Sequence, residues 1–358
     1  MKKKILISSG GTGGHVIPAT IFYEHLKDEF DVFLTVDNRG SKFLNIKKYN
    51  ASIVDVPKLN TNFFLLPLNL IKLFFSFIKS LIFLKKNKIN ILVSTGGYMS
   101  LPFCIMAKIL NIKIYLFEPN MVLGRVNSIF LKYCAKIFCY SYNIVNFPKK
   151  SLNKILLINP LLRREFYSNK NKISTSINEE INLLIIGGSQ GAKFFENNLK
   201  KIIIYLKEKY KFNIYHQTSP KNFENLKIFY DENNVDHKLF NFDQDVLQII
   251  NKVNLCITRA GASTLAELIY LNVPFLAIPY PSAKDNHQYE NALFYENNDC
   301  CWLLKQNDAS EEALSKFLIN IINDKSDYLN KKKNMEKLSY KITWNTINQK
   351  IINTIYEN

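Results

Sequence analysis

Short apolar, β-branched runs alternate with longer stretches of helical spacing along most of the chain, and glycine or proline marks most junctions. The pattern predicts strands at residues 4–8, 31–36, 53–56, 91–95, 112–117, 136–140 and 155–158. A polar stretch at 165–180 carries no apolar period and reads as a linker. The pattern then restarts, with strands at 181–186, 212–217, 238–242, 253–258, 273–279 and 300–304. Helices are expected near 18–27, 126–134, 193–208, 262–271, 309–322 and 343–356, with others starting near Ser100 to Pro102 and at Asp243. Strand–helix alternation of this kind implies parallel sheets with helices on both faces.

Several junctions carry chemistry. Gly10-Gly11-Thr12-Gly13-Gly14-His15 follows the first strand, Gly96-Gly97-Tyr98 another, and Gly187-Gly188-Ser189-Gln190-Gly191-Ala192 the first strand after the linker. In parallel sheets ligands bind at the carboxyl ends of strands, where these turns and Glu118-Pro119-Asn120 fall. Arg259-Ala260-Gly261 delivers a strand into the helix predicted from Ala262. The free N–H groups and dipole at such a helix start favour an anion, typically a phosphate. Glu267, one turn further on, is positioned to accept hydrogen bonds from ribose hydroxyls. Thr264-Leu265-Ala266-Glu267 also fits a capping box, and the sequence leaves both readings open. The first glycine turn is not GxGxxG with an acidic residue after the second strand, so a nicotinamide cofactor is not favoured. His15 is a general base, a phosphate donor or a helix-start residue.

Residues 63–84, FFLLPLNLIKLFFSFIKSLIFL, approach the length of a membrane span, roughly 20 apolar residues. Pro67 and two lysines argue against one. On a helix, Asn69, Lys72, Ser76, Lys79 and Lys86 form one narrow polar stripe, and the remaining apolar surface is wider than a single core contact needs. Phe64, Phe74, Phe75, Phe77 and Phe83 do not all fit one core face. With Lys85, Lys86 and Lys88 following, the segment reads as a helix touching anionic lipid, the alternative being a fully buried helix.

The 358 residues suffice for two domains, and 47% apolar content suits sizeable cores. The formal charge of +17 allows nucleic acid, anionic lipid or phosphorylated partners, although lysine, asparagine and isoleucine richness also fits a genomic bias. No zinc-finger spacing or arginine tract supports nucleic acid. The six cysteines form no CxxC pair and read as buried thiols of a reducing compartment. The apolar run after Met1-Lys2-Lys3-Lys4 is too short for a signal peptide and reads as a first strand in a cytoplasmic protein. No Asp-x-Asp pair sits suitably at a strand end, so no metal is required.

Together, GGTGGH (10–15), GGY (96–98), GGSQGA (187–192), RAGASTLAE (259–267) and HQYENA (287–292) resemble the MurG family in order and interval over most of the chain. That resemblance implies a GT-B fold, two Rossmann-like α/β domains with parallel sheets facing a central cleft. The domains would be 1–160, completed by a C-terminal helix at 341–358, and 161–340. It implies an inverting glycosyltransferase without a cofactor, at the cytoplasmic face of the inner membrane as a peripheral protein. Such an enzyme moves N-acetylglucosamine from UDP-N-acetylglucosamine to undecaprenyl-diphosphate-linked muramyl-pentapeptide. The C-terminal half would bind the donor: Ala262, Ser263 and Thr264 the diphosphate, with Leu265 and Ala266 completing the segment, and Glu267 the ribose. Ser189 also matches a donor-binding position, Gln288 and Asn120 match contacts to the transferred sugar, and Asp243 falls where a backbone group reads uracil. Thr12, Gly13, Gly14 and His15 would face the sugar or acceptor, His15 as the base, and Gly96, Gly97 and Tyr98 would form a second acceptor loop. Three departures stand out. Pro119 replaces a glutamine, His287 replaces another, and the donor-phosphate arginine is displaced to Arg163 or Arg164, with Arg163 preferred. A UDP-N-acetylglucosamine 2-epimerase on a similar plan, or a non-catalytic nucleotide or lipid binder, would use the same donor half.

Overall fold

The structure is a computed structural model describing residues 2–57, 66–168, 177, 180–188, 193–241 and 246–357. The chain forms two compact units, Met1–Leu161 with Thr343–Asn358, and Leu162–Ile342.

In the first unit, β1 (Lys4–Ser8) leads into α1 (Gly13–Leu26), β2 (Asp31–Val36), β3 (Ala51–Ile53) and α2 (Leu66–Lys86). There follow β4 (Ile91–Ser94), α3 (Leu101–Ile109), β5 (Lys113–Glu118), α4 (Arg125–Phe130), β6 (Lys136–Cys139) and β7 (Ile155–Leu157). The second unit opens with α5 (Arg164–Tyr167), β8 (Ile181–Ile186), α6 (Lys193–Asn198), α7 (Lys200–Lys209), β9 (Phe212–Gln217), α8 (Phe223–Glu232) and β10 (Asp236–Phe240). It continues through α9 (Val246–Ile250), β11 (Leu255–Thr258), α10 (Ala262–Tyr270), β12 (Phe275–Ala277), α11 (His287–Glu296), β13 (Trp302–Leu303), α12 (Glu311–Asn323) and α13 (Lys325–Ser339). The closing helix, α14 (Trp344–Glu357), returns to the first unit.

Every strand pairing is parallel. The sheet orders are β3-β2-β1-β4-β5-β6-β7 and β10-β9-β8-β11-β12-β13. All residues of β4, β8 and β11 are buried, as strands covered on both faces must be. Chain direction across each sheet reverses beside the first strand, between β1 and β4 and between β8 and β11. Those neighbours end level, Ser8 opposite Ser94 and Ile186 opposite Thr258, so the turns after them emerge side by side.

Some expected elements shift. Pairing with β2, Leu34 opposite Ala51, sets β3 at 51–53 instead of 53–56. The helix expected at 193–208 is two helices meeting at Leu199, and α1 begins at Gly13, with Pro18 inside it. Helix α5 runs into the start of the expected linker, and α8 and α13 were not legible as helices.

The polar stripe expected on α2 is divided by the fold. Ser76 and Ser80 are buried, with their hydroxyls donating to the carbonyls of Leu73 (2.6 Å) and Ser76 (2.8 Å). Leu84 enters the core beside Phe103, and Phe83 meets the Phe33 and Phe103 rings edge-on. Leu68, Leu70, Ile71, Phe74, Phe75 and Ile82 are exposed instead, Phe74 by 61%. The fully buried alternative therefore fails over these positions; Phe64 lies outside the described residues. No described helix is long and apolar enough to cross a membrane.

Helix α14 closes the first unit by burying Ile347, Ile351 and Ile355. The Tyr115 hydroxyl donates to the Thr354 carbonyl (3.2 Å), and Trp344 stacks on His25 at 3.6 Å. Ile351 is fully buried, so Ile351→Ala is expected to destabilise this unit by about 2–5 kcal/mol. Urea unfolding followed by Trp344 fluorescence in a Trp302→Phe background should show an earlier transition. An unchanged midpoint would contradict the packing.

Candidate active site

In the second unit the β11–α10 turn is the best-formed feature. Ala260 holds a left-handed backbone (φ +61°) and is fully buried. Its carbonyl accepts a hydrogen bond from the buried Asn291 amide on α11 (3.3 Å). Gly261 is the N-cap of α10; no side chain caps the helix and no acidic residue lies in its first turn. The N–H groups of Ala262, Ser263 and Thr264 thus begin a helix without an intrahelical acceptor. Ser263 and Thr264 are half-buried, whereas Leu265 and Ala266 turn their side chains into the core.

The capping-box alternative does not hold in this geometry. Thr264 is the third helical residue, not the residue before the helix, so Glu267 stands on the next turn. Its carboxylate meets Arg163 instead, with Nη2 3.5 Å from Oε1. Burial pushes the Glu267 carboxyl up to about 7, against the opposing pull of the Arg163 charge. Arg163 also lies 3.7 Å from Glu165 and over the Phe166 ring, and its Nε is buried without a hydrogen-bond partner among the described residues. Arg164 is exposed on α5.

Gln288, in the first turn of α11, accepts the Tyr280 N–H on Oε1 (2.8 Å), which leaves its NH2 as the donor side. Asp285 and Asn286 before it both have left-handed backbones, a sharp reversal that starts α11 here. Gly188, after β8, has φ +77°, and no described residue comes within 4 Å of where a side chain would stand. Ser189 and Asp243 lie outside the described residues.

The sequence reading missed Arg259 and Asn291, although both lie within its quoted motifs. Arg259 is 7% exposed, donates to the Ile278 carbonyl (3.1 Å) and lies over the Phe195 ring at 4.7 Å. Burial lowers its pKa to about 10, so it stays charged at neutral pH beside the turn.

In the first unit, Thr12 is the N-cap of α1 and makes no side-chain cap. Gly13 is buried and Gly14 exposed. His15 Nδ1 lies 2.9 Å from the Thr95 carbonyl, and the Thr95 hydroxyl donates to the His15 carbonyl (3.1 Å). A carbonyl can only accept, so Nδ1 carries the proton and Nε2 is the basic nitrogen. The Gly96-Gly97 turn lies against this ring. A Cβ on Gly97 would come within 3.3 Å of His15 Cδ2, and Gly97 has φ +75°. The second glycine turn and His15 therefore form one surface.

Asn120 is held by Glu118, which is 3% exposed. That carboxylate accepts from the Asn120 side chain (2.9 Å) and backbone (3.2 Å), the Gly124 N–H (2.8 Å) and the Asn127 amide (2.9 Å). Burial raises its pKa and all four contacts oppose that shift. Asp37 and Arg39, also missed, tie the two glycine turns together. Asp37 accepts from Gly11 N–H (2.7 Å) and Gly40 N–H (2.9 Å) and pairs with Arg39 Nε (2.8 Å), and Arg39 Nη2 donates to the Tyr98 hydroxyl. All six cysteines are buried free thiols, and the described residues hold no metal-binding cluster.

The chain matches the glycosyltransferase family 28 N-terminal domain over residues 5–139 and the family's C-terminal domain over residues 182–343. It is 57% identical, over all of both chains, to a Pelagibacter ubique (strain HTCC1062) protein. That relative is named UDP-N-acetylglucosamine–N-acetylmuramyl-(pentapeptide) pyrophosphoryl-undecaprenol N-acetylglucosamine transferase. A protein of the same name from Rickettsia canadensis (strain McKiel) is 32% identical over 90% of this chain and 91% of its own. In fold, the chain is similar to the crystal structure of Acinetobacter baumannii MurG (TM-score 0.77, 22% identity, all of both chains covered). It is also similar in fold to a UDP-N-acetylglucosamine 2-epimerase (TM-score 0.67, 14% identity, 100% and 95% covered).

The environment of Glu267 gives a pH signature. Its folded carboxyl sits near 7 against an ordinary 4.5, so the folded protein keeps a proton that the unfolded chain releases. Stability is therefore undiminished at low pH and falls as pH rises from about 4.5 through 7, by at most about 3 kcal/mol. Without ligand, Glu267→Gln should melt above the wild type at pH 8, and the two should converge towards pH 5. Parallel melting curves across that range would exclude the shift.

Proposed function

The chain belongs to glycosyltransferase family 28, and from that membership and the uncapped α10 turn we infer that it transfers N-acetylglucosamine from UDP-N-acetylglucosamine to N-acetylmuramyl-(pentapeptide) pyrophosphoryl-undecaprenol. It is thus a hexosyltransferase of peptidoglycan synthesis, on a GT-B fold of two parallel-sheet α/β domains. The observation that carries the donor side is Glu267 one turn beyond free helix N–H groups, with Arg163 alongside. A UDP-sugar needs an anion site and, about one turn away, an acceptor for two ribose hydroxyls. The epimerase likeness is one of fold alone, whereas the transferase relatives share sequence along the whole chain.

In this reading the second unit holds the donor. The N–H groups of Ala262 to Thr264 receive the diphosphate, Glu267 receives the ribose hydroxyls and Arg163 supports the pair. Gln288 donates to the sugar, and Ser189 and the backbone at Asp243 complete the nucleotide contacts. As the glycosidic bond to the diphosphate breaks, charge grows on the leaving oxygen. Preorganised N–H groups, the α10 dipole and the fixed Arg259 charge stabilise it.

In the first unit Gly96, Gly97 and Tyr98 hold the acceptor, Thr12, Gly13 and Gly14 face the transferred sugar or the acceptor, and Asn120 is held ready by Glu118 to meet the sugar. His15 is the base. Its Nδ1 proton rests on the Thr95 carbonyl, so Nε2 takes the proton of the acceptor hydroxyl as that oxygen attacks the anomeric carbon. Attack opposite the departing UDP inverts the centre. UDP release from UDP-N-acetylglucosamine should depend on a short-chain lipid-linked muramyl-pentapeptide, with the sugar appearing on that lipid. His15→Ala should lower kcat about 10²–10⁴-fold without weakening donor binding. Acceptor-independent conversion of the sugar would favour an epimerase, and near-normal kcat would remove His15 as the base.

The acceptor's lipid must be met at a membrane. The outward apolar face of α2, with Lys72, Lys79, Lys85, Lys86 and Lys88 nearby, suits a peripheral contact with an anionic bilayer on the cytoplasmic face of the inner membrane. On this reading the chain's positive charge serves lipid and not nucleic acid. Phe74→Ser with Phe75→Ser should reduce co-flotation with vesicles containing anionic phospholipid several-fold. Undiminished flotation would place the contact elsewhere.

A further inference from the structure

One charged group at the glycine turns of the first unit has no part in the steps above. Arg39 follows β2, and its side chain is 40% exposed, whereas Asp37 beside it is 3% exposed. Asp37 already has two backbone partners, the N–H groups of Gly11 and Gly40, which hold the first glycine turn. Both of those N–H groups fall on Oδ1, and Arg39 Nε meets Oδ2 (2.8 Å), so the ion pair completes the carboxylate and at the same time fixes the guanidinium. Nε is anchored on Asp37, while Nη2 reaches the Tyr98 hydroxyl and Met99 Sδ (3.4 Å), and the group lies over the Tyr98 ring at 5.2 Å. A Cβ on Gly11 would lie 3.9 Å from Nη2, so the cation adjoins that turn. Among the described residues Nη1 makes no hydrogen bond or ion pair. A planar fork locked along one edge, with donors left on the other, suits a phosphate oxygen.

We propose that Arg39 is a specificity-determining residue for the acceptor, donating to its diphosphate between the two glycine turns, with Asp37 and Tyr98 as the positioning residues that hold the fork. This rests on the reading that the first unit binds the acceptor. A guanidinium distinguishes a diphosphate from a monophosphate by charge and by the number of oxygens it can engage. Arg39 would thus let the enzyme select a prenyl diphosphate over a prenyl monophosphate, a choice that the sugar and peptide contacts do not make.

Binding of farnesyl diphosphate and farnesyl monophosphate to the full-length protein tests this by calorimetry, with UDP-N-acetylglucosamine affinity as the control. The wild type should prefer the diphosphate by roughly tenfold or more, and Arg39→Gln should reduce that preference to about one- to twofold with donor affinity unchanged. Arg39→Lys keeps the charge but loses the fork, and should retain an intermediate preference; it decides the matter if Arg39→Gln does not fold. No diphosphate preference in the wild type, or a preference untouched in both variants, overturns the assignment. Failure of the acceptor reading itself is seen separately, as an absence of acceptor-dependent turnover in the wild type.

Discussion

A parallel strand that turns directly into a helix leaves backbone N–H groups with no partner inside that helix, and both units are built on that constraint. At α10 the deficit is kept open. Gly261 has no side chain to cap the helix, and the buried Asn291 amide holds Ala260 in a conformation that few residues with a side chain adopt. At α1, Thr12 likewise occupies the cap position without closing it. The left-handed turns, the level strand ends and the buried charge at Arg259 all maintain donors for which an anion is the natural complement.

The buried carboxylates divide by how completely the protein satisfies them. Asp37 and Glu118 each collect several short N–H contacts and serve to shape loops. Among the described residues Glu267 has one long hydrogen bond, to Arg163, and its pKa is raised to about 7. A carboxylate left short of donors in a buried setting is unstable unless something else supplies them. The ribose hydroxyls of the proposed donor would. The same contrast gives Asn120 its orientation, since its amide is tied to Glu118 while Pro119, with no N–H, takes no share of that carboxylate.

Helix α2 shows a different use of the same folding rules. It packs on α3, with Phe83 edge-on to Phe103 and Leu84 in the same core cluster, and the hydroxyls of its buried serines are satisfied by the helix's own carbonyls. That contact leaves the phenylalanines of its first half outside. An apolar outer face is unfavourable in water and favourable at a lipid surface, which suits the lipid-linked acceptor proposed above.

The sequence by itself determined the two-unit parallel α/β plan. Strands buried on both faces, such as 181–186 and 91–94, must be continuously apolar or nearly so, and the left-handed glycines of the turns between strand and helix cannot be replaced by ordinary residues without strain. It also determined the family, because five motifs in one order are far more specific than any of them alone. The polar helix α13 was not legible, since only Tyr328, Lys331, Met335 and Ser339 face inward, and neither was the register that moved β3. Only the tertiary structure decided that Glu267 meets Arg163 and does not cap α10, that Nε2 is the basic nitrogen of His15, and which face of α2 is outside. Asp37, Arg39 and Tyr98 are likewise joined only by folding, because β2 and β4 lie on either side of β1 in the sheet while 59 positions separate Arg39 from Tyr98 in the chain. Periodicity records which positions are apolar, but partners distant in sequence are chosen by packing, and the chemistry of this site lies in those partners.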